Sequence, residues 1–263
     1  MLHNTRHRPL PRKLEPKTTR LGKRKRLTLI AAIRCVDGVV ICADSQETID
    51  DDYRVSVRKI KPRDCNHYDL VVGGAGDIGA LIDGQAGAIE ESVKEWSSGV
   101  TEEDCRIWLE AALATYTDDQ VRRYPAELRE KILRFVVCVR DKMSRSIYLW
   151  KTEANIVEPV DDYVLVGWKD QMYQHEIASL YHERLTRSQA TVLGLRLLSL
   201  GKATSNYIGD PFQVIAVERG GADADSPDMI EVWQKRIKQT NDALKEVTIF
   251  WTERRSPRTY LTD

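Results

Sequence analysis

Several features that would assign a function outright are missing from this sequence. No run approaches the roughly 18 apolar residues that a membrane-spanning helix needs. Residues 1–26 are basic and contain Pro9, Pro11 and Pro16, where a secretory signal would need an apolar stretch. The five cysteines, Cys35, Cys42, Cys65, Cys105 and Cys138, are scattered and form no CxxC pair. That spacing indicates neither a zinc site nor a disulfide framework. Cys35, Cys42 and Cys138 sit in apolar runs and read as buried, reduced thiols, so a cytoplasmic location is expected. The histidines, His3, His7, His67, His175 and His182, show no ligand spacing with carboxylates or cysteines, and no metal is expected. The glycine-rich stretch at 73–77 is not GxGxxG, which disfavours a dinucleotide, so no cofactor is expected either. No internal repeat of 20–50 residues is present.

The 263 residues are enough to bury a sizeable core, and 42% hydrophobic with 30% charged residues is ordinary globular composition. The formal net charge of zero conceals an uneven distribution. Residues 1–27 hold ten Lys and Arg against the single acid Glu15, which leaves 30 cations and 39 acids for the remainder. The division expected is a disordered basic arm or pro-segment, 1–27, followed by one folded domain, 28–263. The arm carries cations for phosphate but no aromatic residue for base stacking, so nucleic acid is a disfavoured partner.

Two β-branched runs, Leu27 to Arg34 and Gly38 to Asp44, flank Val36-Asp37-Gly38, a strong hairpin signal. Arg54 to Ile60 alternates as a strand should, with Val55, Val57 and Lys59 on one side. Tyr68 to Gly73 is a further apolar run ending in Gly73-Gly-Ala-Gly-Asp77, where Asp77 suits a helix N-cap. A helical stripe follows through Ile78, Leu81, Ile82, Ala86, Ile89, Val93 and Trp96. A second helix from Thr101, with Glu103 and Asp104 in its first turn, carries Ile107, Leu109, Ala112 and Leu113. Strands are expected at 133–139, 146–150 and 163–166, and helices at 170–184 and 188–202. Strands at 212–217 and 229–233 and a polar helix at 234–245 complete the order. Runs of strands separated by runs of helices favour an α+β class over alternating βαβ units.

Thr28-Leu-Ile-Ala-Ala-Ile-Arg-Cys-Val-Asp-Gly-Val-Val-Ile-Cys-Ala-Asp44 resembles the start of mature proteasome β-type subunits, members of the N-terminal-nucleophile hydrolases. In that family a Thr and two short strands around an Asp-Gly turn are followed by an Asp sixteen residues after the Thr, as Asp44 follows Thr28. Lys59-Ile60 matches the next element with a one-residue shortening, and the glycine-rich turn at 73–77 falls in register. The resemblance covers about residues 28–220 in outline, with specific motifs in 28–82. It implies a four-layer αββα sandwich and a threonine-type endopeptidase acting on peptides or unfolded protein. It also implies a ring-forming homo-oligomer, with an ATPase or activator as a further partner.

The implied roles are chemically coherent. A Thr hydroxyl is a weak nucleophile until a base takes its proton. If Thr28 heads the mature chain, its α-amine, with a reference pKa of about 8, can be that base directly or through water. Lys59 would supply positive charge and Asp44 would hold it by a charge-assisted hydrogen bond. The Gly73 amide would donate to the developing oxyanion, and the backbones of Thr48 and Ala75 would pair with an extended peptide. Val71 and Gly79 suggest a small apolar side-chain pocket, and Glu47 a preference for a basic side chain.

Three departures from the family pattern stand out. Leu27 precedes Thr28 where self-cleaving relatives favour Gly, so residues 1–26 read either as a pro-segment or as upstream of a start at Leu27. Val166-Gly167-Trp168-Lys169 replaces Gly-Ser-Gly, and Ser205-Asn-Tyr-Ile208-Gly209 replaces Asp-x-x-Ser-Gly. Two other functions are consistent with the pattern: a non-catalytic structural ring subunit, and an amidase acting on a small amide.

Overall fold

In the computed structural model, residues 24–25, 28–49, 53–76, 79–123, 133–167 and 169–254 are described. The first strand is short, Arg24–Lys25 (β1). The Asp-Gly turn then folds Leu29–Cys35 (β2) onto Gly38–Ala43 (β3), with Cys35 opposite Gly38. Gln46–Ile49 (β4), Tyr53–Ser56 (β5), Ile60–Cys65 (β6) and Tyr68–Ala75 (β7) follow. Two helices, Gly79–Glu95 (α1) and Glu102–Arg123 (α2), lead to Arg134–Asp141 (β8), Ile147–Glu153 (β9), Ile156–Pro159 (β10) and Tyr163–Gly167 (β11). Helices Asp170–Leu180 (α3) and Arg187–Thr204 (α4) precede Gln213–Glu218 (β12) and Gly221–Ala224 (β13), and Pro227–Arg254 (α5) closes the order.

The strands form two five-stranded sheets, β11-β2-β3-β12-β13 and β10-β9-β8-β7-β6, and a small sheet β1-β4-β5. All described pairings are antiparallel. The apolar runs of β2 and β8 have no polar alternation because both faces of each are covered. In β2, Ile30 and Ala32 join Val136 and Cys138 of β8 in a core between the two large sheets. Leu29, Ala31 and Ile33 face the other way, onto α3, α4 and α5. Phe135, Val137 and Val139 likewise turn outward onto α1 and α2. Three apolar cores thus stack along one direction, each built from the period-2 alternation of a strand and the 3.6-residue period of a helix. The cysteines are all free thiols. Burial holds the Cys105 and Cys138 thiols up at about 12, so these two pack as small apolar side chains.

Helix ends follow local chemistry. Thr101 Oγ1 accepts the Asp104 amide at 3.2 Å, and Asp104 Oδ2 in turn accepts the Thr101 amide, capping α2. Thr186 and Gln189 make the same reciprocal box at α4. In α1, Leu81, Ile82, Ile89 and Val93 are buried as the stripe predicts, with Gln85 between them donating to the Ala154 carbonyl.

Several expectations are overturned. The strand expected over 54–60 is two strands, β5 and β6, broken at Val57–Lys59, because Gln213 captures the backbone there. Pro62 is tolerated in β6 because that strand lies at the sheet edge. The expected strand 229–233 is helical: Pro227 opens α5, and Ser226 Oγ accepts the Met229 amide at 3.3 Å. That Ser-Pro start signal outranks the short apolar run behind it. Ile107, expected in the core, is exposed, and Cys105 takes its place on the α2 stripe. Strands β4, β10 and β13 were not anticipated, being short and half polar. Asp77, Ile78 and most of the basic arm lie outside the described residues, but Arg24–Lys25 belong to a sheet, not to a structureless tail.

Trp150 is fully buried among the α1–α2 core residues and makes an edge-on contact with Trp96. Its indole N–H meets no hydrogen-bond acceptor among the described residues. Trp150→Ala is expected to cost about 3–5 kcal/mol of unfolding free energy in urea titration. Trp150→Phe, which removes an unsatisfied donor and keeps an aromatic ring, is expected to cost clearly less.

Candidate active site

The register of the β2–β3 hairpin sets the site. Ile30 pairs with Ala43, so the next residues outward, Leu29 and Asp44, face one another at the hairpin's open end. Asp44 Oδ1 accepts the Leu29 amide at 3.0 Å, one peptide bond from Thr28. The second carboxylate oxygen, Oδ2, accepts the Gln46 amide at 3.1 Å and the Lys59 ammonium at 2.9 Å. Neither side chain of this ion pair reaches solvent. Burial raises the Asp44 carboxyl above the usual aspartate range, and Lys59 with the two amides pulls against that shift. Every oxygen of the carboxylate thus has a donor, the condition under which a buried ion pair persists.

Gly73 joins the group through strand pairing. It sits opposite Ile60, the residue after Lys59. A Cβ at Gly73 would lie 2.7 Å from Ile60 Cγ2 and 3.0 Å from Ile30 Cδ1, so a side chain there would push against both isoleucines. Gly167 makes room beside Thr28. Its φ of +127° is a glycine conformation, and a Cβ there would collide with the Thr28 carbonyl oxygen. The structure therefore brings Thr28, Asp44, Lys59 and Gly73 into one neighbourhood. Thr28 itself is 0% exposed.

Thr48 and Ala75 are both buried, on β4 and at the end of β7. Thr48 pairs with Arg54 on one side and with Lys25 on the other. Val71 is not a pocket residue: it lies fully buried in the core between the sheets. Trp168 lies outside the described residues. Ser205 caps α4 and accepts the Tyr207 amide at 3.1 Å, while Ile208 fills the core beneath Gly201.

Sequence reading missed the residues that brace this site. Gln213 Oε1 accepts the amides of Lys59 and Ile60 at 2.9 and 3.2 Å, and its Nε2 donates to the Val57 carbonyl at 2.7 Å. One amide side chain thus fixes the bend that turns Lys59 toward Asp44. The available signal was a polar residue opening an otherwise apolar strand. The loop at 205–209 also braces the residues after Asp44. Ser45 donates its amide to the Gly209 carbonyl at 3.3 Å, and Gln46 Nε2 donates to the Asn206 carbonyl at 2.6 Å. Among the described residues no group of His, Cys, Asp and Glu could hold a metal ion.

A family model described as "Proteasome subunit" matches residues 28–217, beginning at Thr28 and ending in β12. The chain belongs to the proteasome subunit family. Solved structures agree on the fold. The helical assembly of the Anbu complex from Pseudomonas aeruginosa superposes with a TM-score of 0.69 at 14% identity, covering 89% of this chain and 100% of that one. An Anbu Gly-1 mutant from Hyphomicrobium sp. strain MC1 gives 0.68 at 13% identity, covering 86% and 99%. Anbu, described as an ancestral beta-subunit, from Yersinia bercovieri gives 0.65 at 12% identity, covering 83% and 97%. No curated protein matches by sequence. At these identities the structural likeness speaks for the proteasome fold alone.

Within that fold, Gln213→Ala leaves the Val57 carbonyl and the amides of Lys59 and Ile60 without their partner. The variant is expected to lose about 1–3 kcal/mol in chemical denaturation. Hydrogen exchange at Lys59 and Ile60 is expected to accelerate more than at β8.

Proposed function

We propose that this proteasome-family chain is a threonine-type peptidase whose nucleophile is Thr28, masked while residues precede it. The observation that carries the reading is the solvent-free Lys59–Asp44 pair bonded to the Leu29 amide, one residue from Thr28. A structural role alone gives little reason to bury an ammonium at this spot, since a pair of apolar side chains would be cheaper. The three stacked cores are read as the four-layer αββα sandwich of N-terminal-nucleophile hydrolases, with residues 28–263 as the catalytic domain.

In this reading the Thr28 Oγ attacks the carbonyl carbon of a scissile peptide and its proton passes to the freed Thr28 amine. Lys59, held by Asp44, supplies the field that favours the alkoxide, and the Gly73 amide receives the developing oxyanion. The C–N bond breaks, the leaving amine takes the proton, and an ester to Thr28 remains. Water, deprotonated by the same amine, hydrolyses the ester and restores the hydroxyl. Thr48 and Ala75 align the peptide through their backbones.

The complete burial of Thr28 favours one competing reading, a non-catalytic ring subunit that keeps its arm. A chain beginning at Thr28 separates the two. That chain is expected to react at Thr28 with a β-lactone or epoxyketone and to cleave fluorogenic peptides, while the full chain does neither. In the same background Thr28→Ala should abolish labelling, and Lys59→Ala should lower kcat/KM roughly 10³-fold or more. Unchanged turnover in either variant removes the assignment.

A homo-oligomer is also proposed. Trp108 and Ala111 of α2 and Ala88 of α1 line an open groove of about 670 Å³ on the outer face of the helices, suited to a neighbouring copy. The Pseudomonas aeruginosa relative is described as a helical assembly. Light scattering at micromolar concentration is expected to give at least six subunits, and a monomer there would contradict it.

A further inference from the structure

The closed end of the β2–β3 hairpin, where Cys35 pairs with Gly38, lies at the far end of the strands from Asp44. There the β2–β3, β8–β9 and β12–β13 turns come together around a cavity of about 420 Å³. Its lining includes Arg34, Cys35 and Asp37 at the first turn, Arg145 at the second and Arg219 at the third. Three guanidinium groups thus line one volume with a single carboxylate. That carboxylate is engaged elsewhere, since Asp37 Oδ2 accepts the Arg187 amide at 3.2 Å.

Arg34 lies in β2 on the side of Ile30 and Ala32, which build the core between the large sheets. It is half-buried, its Nε donating to the Val160 carbonyl at 2.7 Å and its Nη1 to the Ile147 carbonyl at 3.4 Å. Both acceptors are neutral. Glu102 feels the charge of Arg34 without forming an ion pair with it. Among the described residues neither Arg145 nor Arg219 has a carboxylate partner, and both are exposed. Other arginines of the protein do pair, Arg140 with Asp69 and Arg187 with Asp225. Beyond residue 27 the chain holds 39 acids against 30 cations, so three arginines left without ion pairs at one cavity run against its composition. A guanidinium drawn partly out of water and met only by carbonyls keeps a positive charge for an anion to satisfy.

We propose that this cavity binds a small phosphate-bearing molecule, held by Arg34, Arg145 and Arg219. Guanidinium groups arriving from three separate turns suit oxygens that diverge in three directions, as those of a tetrahedral phosphate do and those of a planar carboxylate do not. The volume is that of a small-molecule pocket, larger than a single ion fills. The site stands apart from Thr28 and does not depend on the peptidase reading.

Cys35 reports on this cavity. It lines the cavity, and the other four cysteines are fully buried. Burial raises its thiol above the ordinary range, so it serves as a slow reporter and not as a nucleophile. The experiment follows alkylation of Cys35 by N-ethylmaleimide in the full chain, read by peptide mass, with pyrophosphate as the probe. Pyrophosphate is expected to slow the reaction to saturation, while sodium chloride and citrate at the same ionic strength leave it unchanged. Arg145→Gln with Arg219→Gln removes two exposed side chains that brace nothing, and the half-protecting concentration is expected to rise roughly tenfold or more. Lys235→Gln with Lys238→Gln, which takes the same charge from the exposed face of α5, should leave it unchanged. Pyrophosphate that binds only the basic arm would leave Cys35 unprotected and overturn the inference. So would a Cys35 that resists alkylation throughout, since a cavity closed to the maleimide is closed to phosphate. Equal protection by chloride or citrate, or a half-protecting concentration unmoved by the arginine substitutions, overturns it as well.

Discussion

Asp44 and Lys59 place opposite charges 2.9 Å apart where neither side chain meets solvent, and the surrounding structure is arranged to make that tolerable. Removing two charges from water costs several kcal/mol for each unless geometry and further hydrogen bonds offset it. The β2–β3 register offers the Leu29 amide, the turn into β4 offers the Gln46 amide, and Gln213 bends the chain so that Lys59 faces inward. Gly73 faces Ile30 of the other sheet, and Gly167, beside β2 in its own sheet, leaves room for the Thr28 carbonyl. The pair thus ties together β2, β3, the β5–β6 bend and β12.

Much of this was legible in the sequence. The Asp-Gly hairpin, the sixteen-residue step from Thr28 to Asp44 and the glycine-rich end of β7 are local signals, and each element formed where they placed it. Lys59 was legible as a residue but not as a bend, because the cause of the bend lies 154 residues away in Gln213. Helix α5 starts ahead of the apolar run Met229–Trp233, which alone suggests a strand, because Ser226 and Pro227 open a helix there. Strand β1 was not legible at all. A two-residue strand rich in cations has no pattern of its own, and only its partner β4 defines it.

The loop at 205–209 grips the residues after Asp44 through the Gly209 and Asn206 carbonyls. Support here comes from backbone carbonyls, which fix the position of the residues after Asp44. On this account the Thr28 amine carries the proton traffic, and activity depends on whether that amine is released.

The N-terminus of the protein in its native cell decides that point. Intact-mass measurement with N-terminal peptide mapping of material purified from its source is expected to find a mature chain that begins at Thr28. A mature chain that retains residues 1–27 would contradict the account, since Thr28 would then remain in a peptide bond without the amine the chemistry requires.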